Sequence, residues 1–126
     1  MSKGRVIIAD NHESVLDVLT NLLGLLDIEV VACRTGQEVL QLVEKKQVDA
    51  VISDVEMPTL GGLDLAAELK ERSPGLPVIM MSSYADEAME GEAKQRGALG
   101  LLAKPFKVES VIAMLAQAGV EFLKPV

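Results

Sequence analysis

The sequence has few aromatic residues: no tryptophan, one tyrosine and two phenylalanines among 126 residues. Its hydrophobic core must therefore be built mainly from Val, Ile, Leu, Met and Ala, and apolar residues make up 49% of the chain. Charged residues account for 25%, an ordinary share for a folded globular protein that does not favour intrinsic disorder. At this length we expect a single domain spanning residues 1–126.

Cysteines and long hydrophobic runs are also scarce. The single cysteine, Cys33, excludes an internal disulfide and is expected to be a small buried hydrophobe at the end of an apolar run. No stretch approaches the roughly 18 apolar residues of a membrane-spanning helix, and the N-terminus "MSKGRVIIAD" reaches an acid too soon for a signal peptide. These absences predict a cytoplasmic protein without a membrane segment.

Positively charged residues are fewer than negatively charged ones: 12 Lys and Arg against 19 Asp and Glu, which gives a net charge of −7. Such an excess of negative charge repels nucleic acid backbones and anionic membranes. No cluster of Lys or Arg is dense enough to reverse this locally. We therefore expect no direct binding of this domain to nucleic acid or to a membrane.

The sequence does contain short apolar runs that alternate with helical patterns. Five runs are nearly continuous, as expected for strands covered on both faces of a parallel sheet: residues 5–9, 29–33, 50–53, 77–81 and 99–103. Between them, apolar residues recur with helical spacing, most clearly at Val15, Leu16, Leu19, Leu22, Leu23 and Leu26, and at Val108, Val111, Ile112 and Leu115. Five strands alternating with five helices predict a doubly wound α/β fold.

The fourth predicted helix, about residues 85–96, has the weakest apolar pattern. Its expected buried face is formed only by Ala85, Ala88, Met89 and Ala93. A helix that buries so little apolar surface should be the most loosely held of the five.

Polar residues follow four of the predicted strands where each one ends. They are Asp10, Asn11 and Glu13 after the first strand, Asp54 after the third, Ser82 and Ser83 after the fourth, and Lys104 after the fifth. Ligands of open α/β sheets bind at the carboxyl ends of the strands, so these side chains should converge on one edge. The segment "ADNHES" after the first strand contains no glycine, which excludes the Gly-rich phosphate loop of a dinucleotide site.

This combination of side chains suits phosphoryl transfer. Asp10, Asn11 and Asp54 offer the hard oxygen ligands that Mg²⁺ prefers. Lys104 adds a positive charge and Ser82 a hydroxyl donor, both of which can stabilise phosphoryl oxygens. The carboxylate of Asp54 can itself attack phosphorus and form an acyl phosphate. The residues therefore predict a Mg²⁺-dependent site at which Asp54 is the phosphoryl acceptor.

The sequence resembles the response regulator receiver domain of two-component signalling over essentially all of residues 4–120. The similar segments are "VIIADNHESV", "SDVEMPTLGGLDL", "VIMMSSYAD" and "GALGLLAKPF". Each is weak alone, but together, in this order and spacing, they are highly specific. The resemblance implies a flavodoxin-like five-stranded parallel sheet of order 2-1-3-4-5, in which strands one and three are neighbours and Asp10 lies near Asp54.

The resemblance also implies roles for individual residues. A histidine kinase or histidine phosphotransfer protein would phosphorylate Asp54, while Asp10, Asn11, Asp54 and the backbone carbonyl of Glu56 would hold Mg²⁺. Ser82, favoured over Ser83 by its spacing, would bond one phosphoryl oxygen, and Lys104 would pair with another. The Lys104–Pro105 peptide bond should be cis.

The same resemblance implies a signalling switch rather than an enzyme that turns over a metabolite. Phosphorylation and dephosphorylation would be catalysed by the domain on itself, and the changed surface would bind a downstream effector protein or an output domain. The domain could be the N-terminal part of a longer response regulator. A homodimer could form through the fourth helix, fifth strand and fifth helix.

Two positions depart from the family pattern. Asn11 stands where most members have a second acid, so Mg²⁺ should bind more weakly. This leaves open an alternative, a pseudo-receiver that signals by binding without phosphorylation. Leu101 stands where many members carry Tyr or Phe, so it cannot act as a switching aromatic ring.

A third reading, an aspartate-nucleophile phosphatase, is rejected. Its nucleophile would follow strand one and be followed two residues later by a second acid, but position 12 is His12. That residue, the only histidine, lies at a loop-to-helix junction and is expected to be exposed to solvent.

Overall fold

The structure, a computed structural model, describes residues 4–123, and five strands alternate with five helices along this part of the chain. The strands are β1 (Gly4–Ala9), β2 (Ile28–Cys33), β3 (Ala50–Asp54), β4 (Val78–Ser82) and β5 (Gly100–Ala103). The helices are α1 (Glu13–Leu25), α2 (Gly36–Lys45), α3 (Gly62–Arg72), α4 (Glu87–Gln95) and α5 (Val108–Gln117). All five predicted strands are therefore confirmed.

The sheet has the order β2-β1-β3-β4-β5, and every neighbouring pair is parallel. This confirms the predicted topology and places β1 beside β3, with Ala9 opposite Ser53. Asp54 at the end of β3 lies opposite Met81, one residue before the end of β4. The carboxyl ends of β1, β3, β4 and β5 therefore meet at one edge.

The core consists of two apolar layers, one on each face of the sheet. Val6 and Ile8 of β1 belong to the layer shared with α1 and α5, whereas Ile7 and Ala9 belong to the layer shared with α2, α3 and α4. Successive side chains of a strand point to opposite faces, so a strand covered on both sides needs apolar residues at every position. This explains the continuous apolar runs in the sequence.

The helical patterns hold at most positions. Leu16, Leu19 and Leu23 of α1 are buried as predicted. Val108 was expected in the buried stripe of α5, but it is 47% exposed. It is the first residue of that helix, where the chain has only begun to pack on the sheet.

Helix α4 is shorter than predicted. It begins after Asp86, whose side chain accepts a hydrogen bond from the backbone N–H of Met89 at 2.8 Å and so caps the helix. Among its nine residues only Ala93 is buried, and Ala88, expected on the buried face, is exposed. The helix therefore buries even less apolar surface than its sequence indicates.

Cys33 is fully buried at the end of β2. Burial raises the pKa of its thiol to about 11, so the reactive thiolate is strongly disfavoured. This agrees with the prediction of a small core hydrophobe.

The helices of residues 4–123 are short, and the longest, α1, has 13 residues. None of them combines the length and apolar character that crossing a membrane requires.

Helix α3 starts very close to the backbone of Asp54. A Cβ atom added to Gly62, the first residue of α3, would lie 2.2 Å from the carbonyl oxygen of Asp54 and 2.8 Å from the Cα of Val55. Both obstacles are backbone atoms, which cannot rotate away. Only glycine therefore allows α3 to begin at this position and support the end of β3.

We predict that Gly62→Ala lowers the free energy of unfolding by about 3 kcal/mol, the upper part of the usual cost of overpacking. Gly61→Ala is the matched control, because its Cβ would meet only the Val55 carbonyl oxygen at an ordinary 3.5 Å. Urea denaturation of both variants measures the difference. Equal stabilities would show that the close approach at Gly62 is not a constraint.

Candidate functional site

Four predicted side chains converge at the carboxyl edge of the sheet. β3 ends at Asp54 and β4 ends at Ser82, whereas Asp10 and Lys104 directly follow β1 and β5. Asp10 and Ser82 are fully buried and Asp54 is 2% exposed. The apolar runs of the sequence predict Asp54 and Ser82 directly after their strands, whereas in the structure they are the last residues of β3 and β4. The backbone at both residues is therefore part of the sheet.

Lys104 joins the two carboxylates. Its Nζ atom lies 2.6 Å from Oδ2 of Asp10 and 3.3 Å from Oδ1 of Asp54, and its side chain is only 12% exposed. The backbone N–H of Lys104 donates to the carbonyl oxygen of Ser82 at 2.9 Å. The Lys104–Pro105 bond is cis, as predicted, and the side chain points into the site.

One ammonium group does not balance two buried carboxylates. Burial, together with repulsion from Asp10, outweighs the attraction of Lys104 and raises the pKa of Asp54 to about 6. Burial pulls the pKa of Lys104 down, but its hydrogen bond to Asp10 and the charges of both acids prevail and raise it. Near neutral pH Lys104 is therefore charged, and Asp54 is largely an ionised carboxylate in an unfavourable environment.

Ser82 is engaged on both sides of its hydroxyl. Its Oγ donates to Oε1 of Glu56 at 3.0 Å and accepts from the backbone N–H of Tyr84 at 3.0 Å. Ser83, by contrast, is exposed. Of the two serines at the end of β4, the structure places Ser82 at the site edge.

His12 also reaches the site. Its Nδ1 atom lies 2.9 Å from Oδ1 of Asp10, and the same oxygen accepts the backbone N–H of His12 at 2.9 Å. The His12 side chain remains 64% exposed, as predicted, but sequence reasoning missed its contact with Asp10. The spacing of two residues is the available signal, because an aspartate commonly bonds to the backbone two positions ahead.

Three groups could ligate a metal together. Asp10, His12 and Asp54 each offer one ligand atom, and these atoms lie within 4.8 Å of one another. Asn11 and Glu56, the other predicted ligands, are exposed. The carboxylate of Glu56 accepts the hydrogen bond of Ser82, which leaves its backbone carbonyl as the predicted metal ligand. Metal ligation by Asn11 and by Glu56 stays a prediction.

The chain matches the family model of the response regulator receiver domain over residues 6–116. The DNA-binding transcriptional regulator NtrC of Escherichia coli (strain K12) is 34% identical over 118 residues, which cover 94% of this chain and 25% of NtrC. The response regulator protein TodT of Pseudomonas putida is 29% identical over 113 residues, covering 90% of this chain and 50% of TodT. This chain therefore spans about a quarter of the length of NtrC.

The fold has close counterparts among solved structures. The chemotaxis protein CheY4 of Vibrio cholerae superposes with a TM-score of 0.86 at 27% identity, over 93% of this chain and 99% of that one. The flavodoxin-like receiver architecture predicted from the sequence is thereby confirmed.

Proposed function

We propose that this chain, which belongs to the response regulator receiver domain family, is a signalling switch that accepts a phosphoryl group on Asp54. The observation that carries the proposal is the state of that carboxylate. Asp54 is buried beside Asp10, shares one ammonium group with it, and has a pKa raised to about 6 by burial. It is a nucleophile held where a phosphoryl group would meet Lys104.

The donor would be a phosphohistidine of a histidine kinase or of a histidine phosphotransfer protein. An Oδ atom of Asp54 attacks the phosphorus, and an O–P bond forms as the P–N bond of the donor breaks. The imidazole of the donor leaves with the electron pair of that bond and takes up a proton from solvent. Lys104, 3.3 Å from Oδ1 of Asp54, is placed to pair with a phosphoryl oxygen.

The residues fit a divalent cation. Two buried carboxylates face a single ammonium group, so the site retains an unbalanced negative charge, and carboxylate and carbonyl oxygens suit Mg²⁺. Asp10, Asp54, the Glu56 carbonyl and Asn11 would hold it. When bound, Mg²⁺ offsets the negative charge of the incoming phosphoryl group.

The switch would begin at Ser82. Its hydroxyl has one proton, which is donated to Glu56, so bonding a phosphoryl oxygen requires that this contact be released. The same oxygen accepts the N–H of Tyr84, which links its position to the loop before α4. Since α4 buries only Ala93, a shift of this loop and helix would cost little free energy. The shift would not need an aromatic ring at position 101, where this chain has Leu101.

The changed surface would bind a downstream effector protein, an output domain or a second copy of the chain through α4, β5 and α5. We expect a stoichiometric switch rather than an enzyme of metabolism. Action in the cytoplasm, and no direct contact with nucleic acid, are part of the same proposal.

The second candidate is a pseudo-receiver that signals by binding alone. Asn11 favours it, since this position lacks the acid that most family members supply and the metal site is correspondingly weaker. Exposure to acetyl phosphate and Mg²⁺ followed by intact-mass measurement separates the two: a phosphorylated product supports the switch, and its absence supports the pseudo-receiver.

We predict that Asn11→Asp strengthens Mg²⁺ binding about 10- to 100-fold, which corresponds to roughly 1.4–3 kcal/mol from one additional close carboxylate after its desolvation cost. Calorimetric titration of both proteins with Mg²⁺ measures the change. Equal affinities would show that position 11 does not contribute to the metal site.

A further inference from the structure

The contact between His12 and Asp10 has no part in the proposed phosphorylation. His12 lies two residues after Asp10, and its Nδ1 approaches Oδ1 of Asp10 to 2.9 Å. The other carboxylate oxygen, Oδ2, faces Lys104 at 2.6 Å. The imidazole and the ammonium group therefore use different oxygens of one carboxylate, and a group binding beside Oδ1 need not displace Lys104.

We infer that His12 is a third side-chain ligand of the metal site, and that the site favours a first-row transition cation that accepts imidazole over Mg²⁺. This inference rests on the proposed metal site and concerns its specificity. Imidazole nitrogen is a good ligand for Zn²⁺, Fe²⁺ and Ni²⁺, whereas Mg²⁺ takes oxygen ligands. Two carboxylates with one imidazole match the three protein ligands of an open zinc site.

The geometry is consistent with shared ligation. Two ligand atoms held by one cation at about 2.0–2.2 Å lie about 3.3–3.6 Å apart when its coordination shell is tetrahedral. Nδ1 of His12 and Oδ1 of Asp10 are 2.9 Å apart, so a small separation of these atoms would admit a shared cation. Asp10, His12 and Asp54 each have one ligand atom within 4.8 Å of those of the other two. Asp10 and Asp54 are buried, whereas the His12 side chain is 64% exposed. The imidazole therefore has more room to adjust its position than the two carboxylates.

His12 also compensates for Asn11. The site lacks one formal negative charge at position 11, and this weakens the binding of an ion that is held mainly by charge, such as Mg²⁺. A neutral imidazole adds a ligand without adding charge and therefore favours the cation that bonds nitrogen well. Asn11 and His12 therefore both favour a cation that binds imidazole over Mg²⁺.

The test compares Zn²⁺ with Mg²⁺ in the wild type and in His12→Phe, which retains a ring of similar size but offers no ligand. We expect the ratio of Zn²⁺ affinity to Mg²⁺ affinity, from calorimetric titration, to fall by at least about 10-fold, the low end of what loss of even an outer partner of a metal ligand costs. An unchanged ratio would overturn the inference.

A second readout is specific to ligation. The chain contains one histidine, so ¹⁵N NMR of histidine-labelled protein reports a single ring, and a ligated ring nitrogen should shift on adding Zn²⁺. The shift should vanish in Asp54→Ala; its persistence there would mean adventitious Zn²⁺ binding at the surface and would overturn the inference. Acetyl phosphate labelling of the wild type in Mg²⁺, without Zn²⁺, tests the proposed function separately, since it does not depend on which cation His12 favours.

Discussion

Replacing Lys104 with methionine should lower the free energy of unfolding by roughly 3 kcal/mol at pH 8 without added metal, the low end of the cost of removing one partner of a buried ion pair. Asp10 and Asp54 would keep their burial but lose the ammonium group at 2.6 and 3.3 Å. Methionine preserves most of the stem of the side chain, so lost packing contributes little. The loss of unfolding free energy therefore reports how strongly Asp10 and Asp54 destabilise the fold when no positive charge lies beside them.

The pH dependence of this loss identifies its cause. Without Lys104 the pKa of Asp54, already raised to about 6 by burial, should rise further, because the attraction that lowers it is gone. A carboxyl group whose pKa is raised on folding binds a proton more readily in the folded state, so stability falls as pH increases through that pKa. Lys104→Met should therefore be least harmful at about pH 5 and most harmful above about pH 7.

Lys107→Met is the matched control. Lys107 is exposed at the start of α5, and substitution of an exposed residue usually changes stability by less than about 0.5 kcal/mol. Urea denaturation across this pH range compares the two variants. If Lys104→Met were as stable as Lys107→Met at pH 8, the ion pairs of Lys104 would not stabilise the site.

Asp54→Asn should have the opposite effect on stability. In the absence of metal the variant should be more stable than the wild type at pH 8, by on the order of 1 kcal/mol, because one of two repelling buried carboxylates becomes neutral. The pKa of Asp54 is raised from 3.8 to about 6 by burial and by Asp10. Its destabilising charge therefore develops as pH rises through this interval, and the advantage of Asp54→Asn should grow over the same interval.

Asp17→Asn, on the exposed side of α1, is the control for loss of an acid elsewhere on the surface. Its stability difference from the wild type should show little dependence on pH. A pH-independent difference for Asp54→Asn as well would show that Asp54 is not electrostatically strained.

Much of the fold could be predicted because the sheet is covered on both faces. Val6, Ile7 and Ile8 must all be apolar to bury β1, so the strand is visible as a continuous run. The positions of Asp54 and Ser82 at the carboxyl ends of β3 and β4 followed from the same runs. Strand order and the approach of Asp10 to Asp54 required the resemblance to a known family.

Side-chain contacts at the site could not be predicted in this way. The hydrogen bond from Ser82 to Glu56 joins residues 26 positions apart, and the ion pair of Lys104 with Asp10 joins residues 94 apart. Such contacts depend on rotamers and on the path of the loops, which periodicity does not report. Ala88 is the second residue of α4 and Val108 the first residue of α5, and apolar periodicity does not show where a helix first packs on the sheet.

The central claim is that Asp54 accepts the phosphoryl group, and intact-mass measurement after incubation with acetyl phosphate and abundant Mg²⁺ tests it most directly. The account predicts one added phosphoryl mass on the wild type, a larger labelled fraction on Asn11→Asp at limiting Mg²⁺, and none on Asp54→Asn. An amide cannot act as the nucleophile, and the urea denaturation of Asp54→Asn establishes separately that this variant is folded. A phosphoryl mass on Asp54→Asn, or none on either the wild type or Asn11→Asp at saturating Mg²⁺, would contradict the account.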